Sequence, residues 1–222
     1  MNRGNDPPRW QHGGMVGVAA EEERLWVLKA QKGDQSAFAR LVEAYQAPVY
    51  NLAYRLLGNP AEAEDAAQEV FIRAYTKLDT CDPERRFSSW ILSIAAHYCV
   101  DRLRRRKGDW VSIEEGATAF SLPDRRPKPE ELALRREQSA IIQDLLQRLP
   151  PQYRLVVVLR YWYDCSYEEI AAMTQSTESA VKSRLHRARQ MIAAMLAQIE
   201  AGKGIQEANE RRMKEHAVSR SF

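Results

Sequence analysis

At 222 residues, with 45% hydrophobic and 28% charged side chains, the chain has material for one or two modest domains, and a formal net charge of +3 names no partner by itself. No run of about 18 apolar residues is present, which argues against a helical membrane span. Cys81, Cys99 and Cys165 are scattered and form no C-x-x-C pair, which argues against a disulfide framework or a zinc site and suits a reducing cytoplasm.

Residues 1–20 read as a disordered lead that lacks the apolar core of a secretory signal. A first helix is expected over 21–32, stopped by Gly33. Asp34 is placed to cap the next, 35–46, and Pro48 predicts a break or kink before 49–57. Gly58-Asn59-Pro60 is a compact stop and restart: Gly ends one helix, Asn caps another, and Pro suits a first turn. Glu62, three residues after Asn59, completes a pattern like a capping box. That helix runs to about Leu78, a loop covers 79–86, and Ser88 or Ser89 is the expected cap of a long helix ending near Lys107.

The stretch 108–131 changes character. It contains Pro123, Pro127 and Pro129, and its six acids against three bases give about −3, which reads as a flexible linker. Residues 132–199 return to helical spacing, broken at Pro150-Pro151. The β-branched run LVVVLRYWY (155–163) is assigned to a helix because helices flank it. Residues 200–222 form a polar tail of mixed charge.

Three segments carry function. In YEEIAAMTQSTESAVKSRLHRARQM (167–191), Ser166 and Glu169 form a capping box on a short helix, and a polar turn leads to a longer helix from Glu178. That is the helix-turn-helix layout, whose second helix enters the major groove. Val181, Leu185, Ala188 and Ile192 recur as one apolar stripe, which turns Ser179, Lys182, Ser183, His186 and Arg187 to the opposite face. Four bases and one acid over 178–189 suit the acceptor-rich base edges of that groove.

In AEAEDAAQEVFIRAY (61–75), Glu62, Glu64, Asp65 and Glu69 crowd one helix whose apolar side is Ala66, Ala67, Val70, Phe71 and Ala74. Such a helix repels phosphate and suits a basic protein partner. In FSSWILSIAAHYCVDRLRRRK (87–107), Trp90, His97 and Tyr98 precede Arg102, Arg104, Arg105, Arg106 and Lys107. Aromatics beside cations suit unpaired bases and a phosphate backbone, although Trp90 and Tyr98 serve equally well as core.

Together, in this order, these segments resemble the extracytoplasmic-function group of bacterial sigma factors. The D-A-x-Q-E-x-F-x-x-A-Y pattern of that group is similar to 65–75, its F-x-x-W-L-x-x-I-A to 87–95 with Ile91 in place of Leu, and its L-P-x-x-x-R…Y-x-E-I-A…V-K-S-R-L-x-R-A-R to 149–189. His97 departs from it, standing where the group usually has Asn.

The resemblance implies an all-α protein of two small domains: 21–107 like sigma region 2, and 132–199 like the helix-turn-helix of sigma region 4. It implies that Asp65, Gln68, Glu69 and Phe71 dock on core RNA polymerase. Trp90, His97, Arg102, Arg104 and Arg105 would engage the −10 element, with its flipped base held by loop 79–86. Ser179, Lys182, Ser183, His186 and Arg187 would read the −35 element, and the linker would lie in the RNA exit channel. The implied partners are core polymerase, promoter DNA and an anti-sigma protein, in cytoplasmic stress-response transcription.

The competing reading is an autonomous helix-turn-helix regulator, which leaves the acidic helix unexplained. An enzyme is disfavoured: no nucleophile, base and orienter grouping, no Gly-rich phosphate loop and no metal-ligand spacing occurs, so no catalytic residue, metal or cofactor is expected.

Overall fold

The computed structural model describes residues 19–108 and 129–218, so the lead, apart from its last two residues, and most of the expected linker lie outside the described residues. Every regular element described is helical: α1 (Ala20–Gln31), α2 (Gln35–Leu57), α3 (Pro60–Thr76), α4 (Phe87–Gly108), α5 (Pro129–Arg148), α6 (Pro151–Trp162), α7 (Tyr167–Met173) and α8 (Glu178–Val218). A single 3₁₀ turn, Leu78–Thr80, follows α3.

The caps follow local chemistry. Gly33 takes φ +91° between α1 and α2, and the Asp34 carboxylate then accepts from Ser36 N and Ala37 N. Gly58 closes α2 at φ +81°, Asn59 accepts from Glu62 N, and Pro60 opens α3. Such caps contribute about 1 kcal/mol each. A Cβ at Gly58 would also lie 2.6 Å from the end of the Gln147 side chain, which would have to move aside.

Two expectations are corrected. Pro48 does not break α2, which runs unbroken through it. An interior proline costs about 3 kcal/mol, but Leu41, Tyr45, Val49 and Leu52 are fully or almost fully buried on both sides of it. At about 1.5–3 kcal/mol per large apolar side chain, their burial outweighs that cost. Nor does Ser88 or Ser89 cap α4, because the helix already begins at Phe87. The first amide, Phe87 N, donates instead to the carboxylate of Glu23 on α1 at 2.7 Å.

In the first domain, α2 is the central helix, packed against α1, α3 and α4. Its core includes Leu41, Leu52, Leu56, Phe87 and Ile91. In the second, α6 and α7 pack on α8, and Leu155–Leu159, the β-branched part of the run, is buried within α6. Tertiary burial therefore overrides the weak strand preference of those residues. α8 continues as helix through 200–218, the stretch read as a polar tail.

The two domains touch. α5 and α6 pack on α2, and α7 on α4. A helix end leaves its last carbonyls without partners; at the end of α2 Gly58 N serves Tyr54 O, and the second domain supplies further donors. Gln143 Nε2 donates to Tyr54 O at 3.0 Å, Gln147 Nε2 to Arg55 O at 3.2 Å, and Arg154 to Leu56 O. Tyr163 OH donates to Pro48 O at 2.6 Å, and the Arg55 guanidinium lies 4.5 Å from the Trp162 ring.

Candidate functional site

The second helix of the helix-turn-helix is fixed from behind. Ser166 and Glu169 make the reciprocal capping box that starts α7. Thr174 and Ser176 join hydroxyls at 2.8 Å in the turn, and Gln175 takes φ +49° there. The Thr177 hydroxyl accepts from Ala180 N at 3.2 Å, capping α8. Val181, Leu185 and Ala188 are at most 1% exposed, so the rotation of α8 is set. Ser179, Lys182, Ser183, His186 and Arg187 are consequently all exposed on the other side. Lys182 is held at the front of that face, 3.4 Å from the Glu178 carboxylate and 5.4 Å from the Tyr167 ring.

On α3, Asp65 and Gln68 are exposed, while Glu69 is half-buried and pairs with Arg73 at 2.7 Å. Phe71 is half-buried and packs against the core. Sequence reasoning missed two neighbours: Ile72 and Tyr75 are 60% and 52% exposed on the same helix, and Tyr75 meets Phe38 edge-on at 5.0 Å. The outer side of α3 is therefore mixed, acidic and apolar. The signal lay in the helical spacing of Gln68, Ile72 and Tyr75.

On α4, Trp90 is half-buried, its ring 5.5 Å from Phe87. His97 is exposed, with Nδ1 donating to Ser93 O at 2.8 Å, which leaves Nε2 outward. Arg104 and Arg105 are exposed, and Arg104 lies 3.6 Å from Asp101. Arg102 is half-buried. Its pKa is raised by its hydrogen bond to Tyr98 OH and by nearby Glu62, whose carboxylate lies 3.8 Å away. Arg106 pairs with the same Glu62. The carboxylate expected to fold back on Asn59 thus clamps the basic end of α4. Two guanidiniums attract it more strongly than one neutral N–H.

Among the described residues no group of three or more His, Cys, Asp or Glu is placed to hold a metal ion, and no helix is long and apolar enough to cross a membrane.

The sigma-70 region 2 family profile matches residues 41–108, and the sigma-70 region 4 profile matches residues 139–192. The chain is 40% identical over 176 residues to the ECF RNA polymerase sigma factor SigW of Bacillus subtilis, covering 77% of this chain and 94% of that protein. The chain belongs to the extracytoplasmic-function family of sigma factors. It is also 34% identical to the ECF RNA polymerase sigma-E factor of Escherichia coli, over 77% of this chain and 92% of that one. Among solved structures, CnrH in complex with the cytosolic domain of CnrY superposes at a TM-score of 0.60 with 27% identity, covering 80% of this chain and 98% of that one. The sigma factor RpoE from Bartonella quintana, solved with the anti-sigma factor NepR, shares the fold at a TM-score of 0.56 and 21% identity, covering 72% and 96%. This sigma factor accordingly serves promoter-directed initiation by RNA polymerase, with both of its DNA-recognition regions on one chain.

Proposed function

We propose a division of labour for the named residues, carried above all by the exposed basic face of α8 set against its buried stripe. Ser179, Lys182, Ser183, His186 and Arg187 read the −35 element in the major groove. Asp65, Gln68, Glu69 and Phe71, with the exposed Ile72 and Tyr75, dock α3 on core polymerase. The negative charge suits a basic partner, and the apolar pair adds contact area. Trp90, His97, Arg102, Arg104 and Arg105 face the −10 element, where loop 79–86 holds the unpaired base. Arg104 and Arg105 supply exposed cations for phosphate, whereas Arg102 acts through its pairing with Glu62.

The protein contributes binding energy and no bond chemistry of its own, and it acts in the cytoplasm. An anti-sigma protein is the third partner. The fold shared with CnrH, solved in complex with the cytosolic domain of CnrY, supports this. An autonomous regulator has no use for an acidic and apolar α3.

The packed arrangement of the two domains is not the promoter-bound one. α8 packs on α7 and α7 on α4, so at 8–10 Å per helix pair the start of α8 lies about 20 Å from α4. Elements named −10 and −35 stand about 25 base pairs apart, or about 85 Å at 3.4 Å per pair. The domains must separate to reach both.

The test is transcription in vitro from a library of promoter fragments randomised at both elements, using core polymerase with and without this protein. Sequenced transcripts should converge on one −10 and one −35 sequence only when the protein is present. Binding of a duplex site without polymerase, and no convergence with it, would return the autonomous-regulator reading.

A further inference from the structure

The region 2 profile begins at residue 41, so α1 lies outside the stretch it matches. α1 nevertheless grips one segment at three points along its length. Gln31 Nε2 donates to two backbone carbonyls, Leu78 O at 2.9 Å and Cys81 O at 2.7 Å. Arg24 donates through Nε and Nη2 to the Glu84 carboxylate at 2.9 and 2.6 Å. Glu23 accepts from Phe87 N at 2.7 Å and also takes the Tyr45 hydroxyl. The beginning, middle and end of loop 79–86 are therefore each tied to one helix.

The other bonds of the loop are short-range: Thr80 N and its hydroxyl donate to Lys77 O, Cys81 N to Leu78 O and Arg85 N to Asp82 O. Cys81 is its buried anchor, and the Asp82 side chain accepts from Glu84 N at 3.0 Å. Asp79, Thr80, Asp82, Arg85 and Arg86 all point to solvent. A loop that reads a base by hydrogen bonds has to be held near its productive geometry before the base arrives, or ordering it consumes the binding energy. The three grips are unequal. Arg24 and Glu84 are a solvent-exposed pair and contribute little. Gln31 satisfies Cys81 O and adds a second donor to Leu78 O, which already accepts from Cys81 N, and Glu23 fixes Phe87 N, the first amide after the loop.

We infer that α1 is the brace of the −10 reading loop, with Gln31 and Glu23 as positioning residues that set its base preference without touching DNA. The inference rests on loop 79–86 facing the −10 element, as proposed above.

The promoter library with core polymerase tests it. Gln31→Ala should flatten the preference at one or more −10 positions by about fivefold, the equivalent of about one hydrogen bond. Affinity for core polymerase and preference at −35 should stay within about twofold of the unaltered protein. Glu23→Ala should act likewise. Glu23→Gln, which keeps an acceptor for Phe87 N, should restore the preference and show that the acceptor, not the fold, is at issue. An even loss across all promoters with the base pattern unchanged would make α1 a purely structural helix and overturn the inference. So would an unchanged −10 pattern in Gln31→Ala while Arg85→Ala with Arg86→Ala flattens it. Should the Arg85 and Arg86 change itself leave −10 preference intact, the loop is not the reader, and both readings fall together.

Discussion

Lys182 and Arg187 share the exposed face of α8 but sit at different depths along it. The N-terminal part of a recognition helix comes closest to base edges, so the proposed −35 reading makes Lys182, with Ser183, the expected base reader and Arg187, more than a turn later, the expected phosphate contact. Lys182→Ala should cost about 1–3 kcal/mol at one −35 position and relax the preference there. Arg187→Ala should weaken all sequences alike and lower the salt slope of binding by about one. Competition binding of the polymerase complex on matched and substituted promoters, at two salt concentrations, separates the two outcomes. A different residue chemistry governs the thiols. Burial pushes Cys81, Cys99 and Cys165 up to about 12 from an ordinary 9.0. Each is neutral in the folded chain where the unfolded chain would ionise. Their contribution to stability is therefore complete below about pH 9 and is lost as pH rises towards 12. The native protein at pH 8 should resist a maleimide, and the urea-unfolded protein should take one label at each cysteine, counted by mass spectrometry. Rapid native labelling would contradict their burial.

α3 is the element on which sequence and structure diverge most instructively. Its start was legible, because Gly58, Asn59 and Pro60 act through local backbone chemistry that spacing reveals. So were the capping box on α7 and the stripe of α8, for the same reason. Glu62 was not, because its choice between Asn59 and the arginines of α4 depends on residues 40 or more positions away. Pro48 misled because a local penalty was read without the core that outweighs it. Gln31, Gln143 and Gln147 look like ordinary polar helix residues, and only the fold reveals which carbonyls need them. For α3 itself, reversing Asp65 and Glu69 to Arg should leave helicity unchanged and reduce affinity for core polymerase at least tenfold, with the loss largely in association rate. Surface-immobilised polymerase would measure it. Unchanged binding would remove α3 from the interface.

At the scale of the molecule, the joint between the domains combines apolar packing and the Arg55–Trp162 contact with side-chain donors on backbone acceptors. Its key cation, Arg154, is 5% exposed and donates to Leu56 O, Gln147 O and Leu149 O. Burial, and the nearby Arg106 charge, bring its pKa down to about 10. Gln143→Ala with Tyr163→Phe removes two of the cross-domain bonds at about 1 kcal/mol each, which shifts the opening equilibrium by at least about tenfold. The radius of gyration from small-angle X-ray scattering should rise, and promoter complexes should form faster with core polymerase. An unchanged radius would mean that apolar packing alone holds the domains. The same joint separates two responses to ionic strength. Counterion release makes promoter binding fall steeply as salt rises. Contacts between donors and neutral carbonyls release no counterions, so the packed state is nearly indifferent to salt. A rise in the ion concentration around it, as in a cell losing water, would therefore return this sigma factor from promoters to its packed form without any change in either domain.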